Sequence, residues 1–216
     1  MRSYAVVLLG AGLLAGCTTS SDTHADISKI ADVKASFGPE YTVNVVPVTG
    51  IDPARLSSGQ KLPDGMVFDP PACAKLGQSQ PAAAQLNGNM SSVIAEGGGV
   101  RYIVIATETS QPLPSNDPGA DCHKVSFAGT GVRGTVQVVD APQIGGATTL
   151  GKHVVMQITN NGKPQTGETY TYTADFGDYR VLVTANPTVV PDKPTVPVDT
   201  ERAKGLLTAG VAAIRG

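Results

Sequence analysis

Lys152–Thr159 reads KHVVMQIT, Asn160-Asn161-Gly162 follows, and Thr169–Phe176 reads TYTYTADF. Two runs rich in β-branched and aromatic residues around an Asn/Gly turn predict an antiparallel hairpin. The same grammar repeats outward. Cys122–Ala128 and Thr135–Val139 flank a glycine turn, and Met90–Ala95 and Val100–Thr107 flank Gly97-Gly98-Gly99. Tyr179–Ala185 follows Gly177-Asp178 as a further strand, and Tyr41–Val48 is a strand near the N-terminus. Between them, residues 49–64 and Gln111–Ala120 carry the prolines and glycines of loops. Asp69–Leu76 reads as a turn followed by a short helix, since proline suits the first helical turn.

Helices bracket these strands. In residues 26–37, Ile27, Ile30, Ala31 and Lys34 share a helical face, Asp26 can cap the start, and Gly38-Pro39 stops the run. At the other end, prolines 187, 191, 194 and 197 mark an extended segment. A helix from Thr200 to about Ile214 then places Leu207, Val211 and Ile214 on one face, with Asp199 or Thr200 as its cap. The predicted class is α+β, an antiparallel sheet with N-terminal and C-terminal helices packed on it.

Composition narrows the function. The chain has 216 residues, 41% hydrophobic and 16% charged, with a net charge of −2. Such a balance offers no broad basic face for nucleic acid, and with no Trp and few other aromatics there is little to stack on bases.

The first seventeen residues give an address. Arg2 supplies a charged start, and Tyr4–Ala15 is an uncharged stretch too short to cross ~30 Å of hydrocarbon comfortably. It ends in Leu14-Ala15-Gly16-Cys17, which resembles the lipobox of bacterial lipoproteins. The resemblance implies diacylglycerol transfer to the Cys17 thiol and cleavage before it. Residues 1–16 are then a lipoprotein signal peptide, 17–25 a polar tether, and 26–216 one extracytoplasmic domain on the outer face of the cell membrane. An ordinary secretory signal containing a cysteine and an uncleaved anchor are the alternatives. Export favours a disulfide between the two remaining cysteines, Cys73 and Cys122, over a metal site or a redox pair. The competing idea, Cys122 as nucleophile with His123 as base, is poor because neighbours on a strand point to opposite faces.

Several motifs tempt and fail. Gly129-Thr130-Gly131-Val132-Arg133-Gly134 has the letters of a dinucleotide fingerprint, but a strand pattern follows where a helix must stand. Gly146–Lys152 is one residue short of a phosphate loop, and His153 occupies the position of the magnesium-binding hydroxyl. The histidines His24, His123 and His153 are scattered, so no metal or other cofactor is expected, and His24 falls in the tether. Asp69, Glu108, Asp117, Asp121, Asp175 and Asp178 show no paired spacing, and Asn116, Asp117 and Asp121 lack the calcium-loop order. Arg101, Arg133 and Arg180 sit beside apolar runs, where they either protect sheet edges or line a cleft for an anion.

Phe37–Val43, Asp69–Leu76, Gly99–Ile105 and the ending Ala213-Ile214-Arg215-Gly216 together resemble a mycobacterial-type lipoprotein family of unknown function. That family is similar to the extracellular sensor domain of a receptor Ser/Thr kinase. The resemblance implies a sheet with packed helices and a cleft, and it carries no catalytic residue. The expected function is therefore a lipid-anchored, non-catalytic binding or sensor-like module rather than an enzyme. Its partners would be the membrane, through the anchor, and an envelope protein, glycan or lipid. The alternative is a lipid or glycolipid carrier, which needs a large aliphatic cavity.

Overall fold

The structure, a computed structural model, describes residues 24–51, 65–77, 87–113, 117–119, 121–160, 162–189 and 194–216. Nine strands in these residues form one sheet: β1 (Thr42–Gly50), β2 (Val67–Asp69), β3 (Gly88–Gly97), β4 (Val100–Thr109), β5 (Lys124–Gly129), β6 (Val132–Val139), β7 (Thr148–Asn160), β8 (Lys163–Phe176) and β9 (Tyr179–Pro187). Their order is β1-β3-β4-β9-β8-β7-β6-β5-β2, with every neighbouring pair antiparallel. The hairpins read from the sequence close as expected, β3 with β4, β5 with β6, and β7 with β8. At the β7–β8 turn Gly162 holds φ +73°, a conformation that a Cβ would strain.

Most strands run past the bounds read from the sequence, β8 furthest, and one strand carries no sequence signal at all. β8 begins at Lys163 rather than Thr169, because Lys163–Gly167 extends the hairpin tip into solvent and so carries no apolar signal. The three-residue β2 escaped notice, being too short for a periodic pattern. Both outer strands are blunted against further pairing. β1 contains Pro47 and a register shift between Val46 and Thr49, and β2 is short.

Side-chain alternation divides the sheet into two faces, each covered at a different end. On the first face, Val93 of β3, Tyr102, Val104 and Ala106 of β4, Val181, Val183 and Ala185 of β9, and Tyr172 and Ala174 of β8 are buried under two helices. One is the C-terminal helix, Thr200–Arg215, whose Ala203, Leu206, Leu207, Val211 and Ile214 face the sheet. Asp199 caps it by accepting from Arg202 N at 2.9 Å, so the predicted cap and span hold. The other is the N-terminal helix, and here the expectation needs correction: Ile27–Ser36 is a 3₁₀ helix, not an α-helix. Its buried residues are Ile27, Ile30 and Val33, spaced by three. Three residues per turn bring those side chains onto one stripe, leaving Lys34, which an α-helical period would place with Ile27 and Ile30, exposed.

The opposite face is covered at the other end of the sheet. There Phe68, Val125, Phe127 and Val136 pack with Cys73 and Leu76 into a second, smaller core. Cys73 ends a 3₁₀ turn, Pro71–Cys73, and Leu76 lies in the short helix Ala74–Gly77 that follows it, as the Asp69–Leu76 reading anticipates.

Candidate functional site

Cys17, the residue expected to carry the lipid, lies outside the described residues, as does most of the tether. Its last two positions belong to the fold. Ala25 is buried in the main core, and His24 Nδ1 lies 3.2 Å from Tyr179 Oη at the β8–β9 end of the sheet. Cys73 and Cys122 form the expected disulfide, with Cα atoms 5.4 Å apart. Cys122 precedes β5 rather than belonging to it, so its removal from nucleophilic chemistry follows from the bond itself.

The candidate carboxylates do not converge. Asp175 accepts a fork of two hydrogen bonds from Arg180, one of them Nη2 to Oδ2 at 2.8 Å. Glu108 accepts from Tyr179 Oη at 3.4 Å, and Asp117 accepts from the Gly119 amide at 2.9 Å. Asp69, Asp121 and Asp178 are exposed. Among the described residues no three His, Cys, Asp or Glu side chains gather into a metal-binding group. His153 Nε2 sits 3.0 Å from Glu168 Oε2 and stacks on Tyr170 with ring centroids 4.1 Å apart.

The fingerprint-like glycines form the β5–β6 turn, as read. Gly131 holds φ +72° there, and its carbonyl accepts from the Thr159 amide at 2.8 Å, tying that turn to β7. The two hairpin tips thereby frame an open cleft of about 510 Å³ lined by residues including Arg133, Gln157, Thr159 and Pro164. Arg133 Nε donates to Gln157 Oε1 at 2.8 Å across the strands. The phosphate-loop-like stretch leads into β7, and the Gly145 and Gly146 carbonyls accept from Arg215 at 2.7 and 3.1 Å.

The three arginines thus have separate roles. Arg101 pairs with Glu96 at 3.0 Å, Arg133 sits in the tip cleft, and Arg180 is gripped by Asp175. Sequence reasoning missed a fourth cation, Lys152. It is half-buried on β7, and burial, followed by the charge of Arg180, holds its ammonium below the ordinary lysine range. No spacing could have singled it out, because only the β7–β8–β9 register puts Lys152 and Arg180 on the same face of the sheet.

Among the described residues no helix is long and apolar enough to cross a membrane. No curated protein matches the chain. An uncharacterised protein of Mycobacterium smegmatis, the Rv0999 ortholog, has a solved structure similar to this one. It is 53% identical, with a TM-score of 0.83 over 89% of this chain and 98% of that one. The extracellular domain of PknH from Mycobacterium tuberculosis aligns over 88% of this chain and 93% of its own length, with 8% identity and a TM-score of 0.37. Residues 26–215 match DUF5642, a domain of unknown function, and the chain belongs to that family.

Proposed function

We propose that this protein is a lipoprotein held by Cys17 on the outer face of the cell membrane, and that its domain is a non-catalytic binding or sensor-like module. The observation that carries the reading is the way the described reactive side chains are spent. Cys73 and Cys122 staple the small core, Asp175 orients Arg180, and Glu96 pairs with Arg101. Catalysis by acid–base pairs or activated nucleophiles needs such groups to converge on one point. The lipobox at Leu14–Cys17 supports the anchor, and a disulfide agrees with an oxidising compartment. Two acyl chains on one cysteine suffice for stable membrane attachment. The carrier alternative draws less support, since the cleft between the hairpin tips is open and lined in part by Arg133, Gln157 and Thr159 rather than closed and aliphatic.

The anchor is tested by phase partition. Wild-type protein from the membrane fraction should enter the detergent phase, and its Cys17→Ala variant should remain aqueous or keep its signal peptide. Detergent partition of the variant with a processed N-terminus would overturn the anchor.

A further inference from the structure

We infer that the cleft between the two hairpin tips is a binding site for an acidic saccharide, gripped by the guanidinium of Arg133. The inference deepens the binding-module reading and rests on it, naming the class of ligand.

Register builds the site. Ala128 of β5, Arg133 of β6, Gln157 of β7 and Thr166 of β8 stand opposite one another in one row across four strands. One step nearer the tips, Thr159 faces Pro164. Within the row, Arg133 Nε donates to Gln157 Oε1 at 2.8 Å, and Gln157 Nε2 donates to Thr166 Oγ1 at 3.4 Å. The guanidinium is thus held through Nε. Among the described residues no carboxylate or carbonyl takes its two Nη groups. The other described arginines are engaged: Arg101 with Glu96, Arg180 with Asp175, Arg202 with Asp199, and Arg215 with the Gly145 and Gly146 carbonyls. Glu168, one row further along the same face, is engaged by His153. Arg133 therefore brings an uncompensated and already oriented charge into a cleft of about 510 Å³. That volume falls in the ~300–1,000 Å³ range of ligand sites.

The lining then selects the ligand. The free side of the guanidinium calls for an anionic group that its fork can take. Beside it, the Gln157 amide and the Thr159 hydroxyl offer donors and acceptors together, with capacity beyond the bonds they make here. Such a surface suits a ring of hydroxyls. Among the described residues no aromatic side chain lines the cleft, so charge and hydrogen bonds supply the grip, which favours an acidic sugar over a neutral one. An extended peptide docks by adding to a free sheet edge, and a helical one needs an apolar groove. Here β6 and β7 are paired on both sides, and the apolar lining amounts to Ala128, Val132 and Pro164. Position argues against a lipid headgroup. Cys17 lies seven residues before His24, a reach of at most ~25 Å, and His24 meets Tyr179 beside the β8–β9 turn. The cleft lies at the other end of β8, a strand of 14 residues, ~40 Å away. An anchor at Cys17 leaves it facing away from the bilayer.

The test is calorimetry on the full chain in a nonionic detergent at low ionic strength, with tetragalacturonate, maltotetraose and hexaglutamate as probes. Tetragalacturonate should bind at least tenfold tighter than the neutral sugar or the acidic peptide. Arg133→Gln should weaken its binding at least tenfold, and Arg133→Lys should recover part by restoring the charge without the fork. Lys34→Gln, at an exposed lysine away from the cleft, should leave binding unchanged. All three variants should keep the wild-type melting temperature. Gln157→Glu sets a carboxylate against Arg133 and should erase the preference for the acidic sugar. Equal binding of hexaglutamate overturns the saccharide class. Undiminished binding in Arg133→Gln overturns the site, as does no binding of any probe. Shortened tetragalacturonate recovered from the mixture would overturn the non-catalytic reading and leave the site in place. Intact sugar bound without need of Arg133 would do the reverse.

Discussion

Tyr102 gathers several consequences of the packing into one side chain. It is 1% exposed, its hydroxyl lies 3.5 Å from the Asp199 carbonyl, and its ring meets Phe37 and Tyr41 at 6.1 and 6.2 Å. Burial first, then the neighbouring Tyr41 and Asp199, pushes its pKa up to about 12. The unfolded chain ionises this phenol near its ordinary value of 10.0, whereas the native state resists ionisation. The stabilisation is therefore complete below about pH 10 and is lost as pH rises toward 12. Tyr170, Tyr172 and Tyr179 shift upward as well, so they add to the same alkaline loss. An ultraviolet titration should show the Tyr102 phenol ionising only as the chain unfolds, and Tyr102→Phe should flatten the decline in melting temperature above pH 10. A decline as steep in that variant would remove Tyr102 from the account. At this scale the sequence was legible where covalent chemistry speaks, as in Cys73 and Cys122. It was silent for Tyr102 and Lys152, whose environments come from strands distant in the chain.

Elements were legible wherever a period ran long enough. Every hairpin with an obvious glycine turn was readable, and so was the C-terminal helix. The 3₁₀ helix was misread because Ile27, Ile30 and Ala31 fit an α-helical stripe as well, and only the buried Val33 separates the two periods. Packing of the C-terminal helix gives a paired prediction. At Gly210 an added Cβ would stand 3.0 Å from Val181 Cγ1 and 3.1 Å from Ile30 Cδ1, so this glycine lets the helix sit close to both the sheet and the 3₁₀ helix. Gly205, on the exposed side, has nothing within 4 Å of that position. Gly210→Val should lower stability by ~1–3 kcal/mol through overpacking. Gly205→Ala should raise it by up to ~1 kcal/mol through helix propensity. Chemical denaturation of both variants decides the matter, and equal effects at the two positions would contradict the close approach.

Among the described residues one sheet serves two cores of unequal size on opposite faces. The larger joins β3, β4, β8 and β9 to both terminal helices, and the smaller holds β2, β5 and β6 against Cys73 and Leu76. Among the described residues the smaller core holds few buried side chains, and these offer little apolar area with which to oppose chain entropy. The disulfide joins residues 49 apart and supplies what is missing, worth up to ~4 kcal/mol if its effect is on the unfolded chain. This division was not legible in the sequence, because it depends on β2 pairing with β5 at an edge far from β1. It predicts uneven behaviour under reduction. In the Cys73→Ala, Cys122→Ala variant, amide exchange should quicken by orders of magnitude in β2, β5 and β6. The amides of β3, β4 and β9, under the terminal helices, should retain most of their protection, since local opening follows local packing. A uniform loss of protection across all nine strands would mean that the two cores unfold as one unit and that the staple holds the entire sheet.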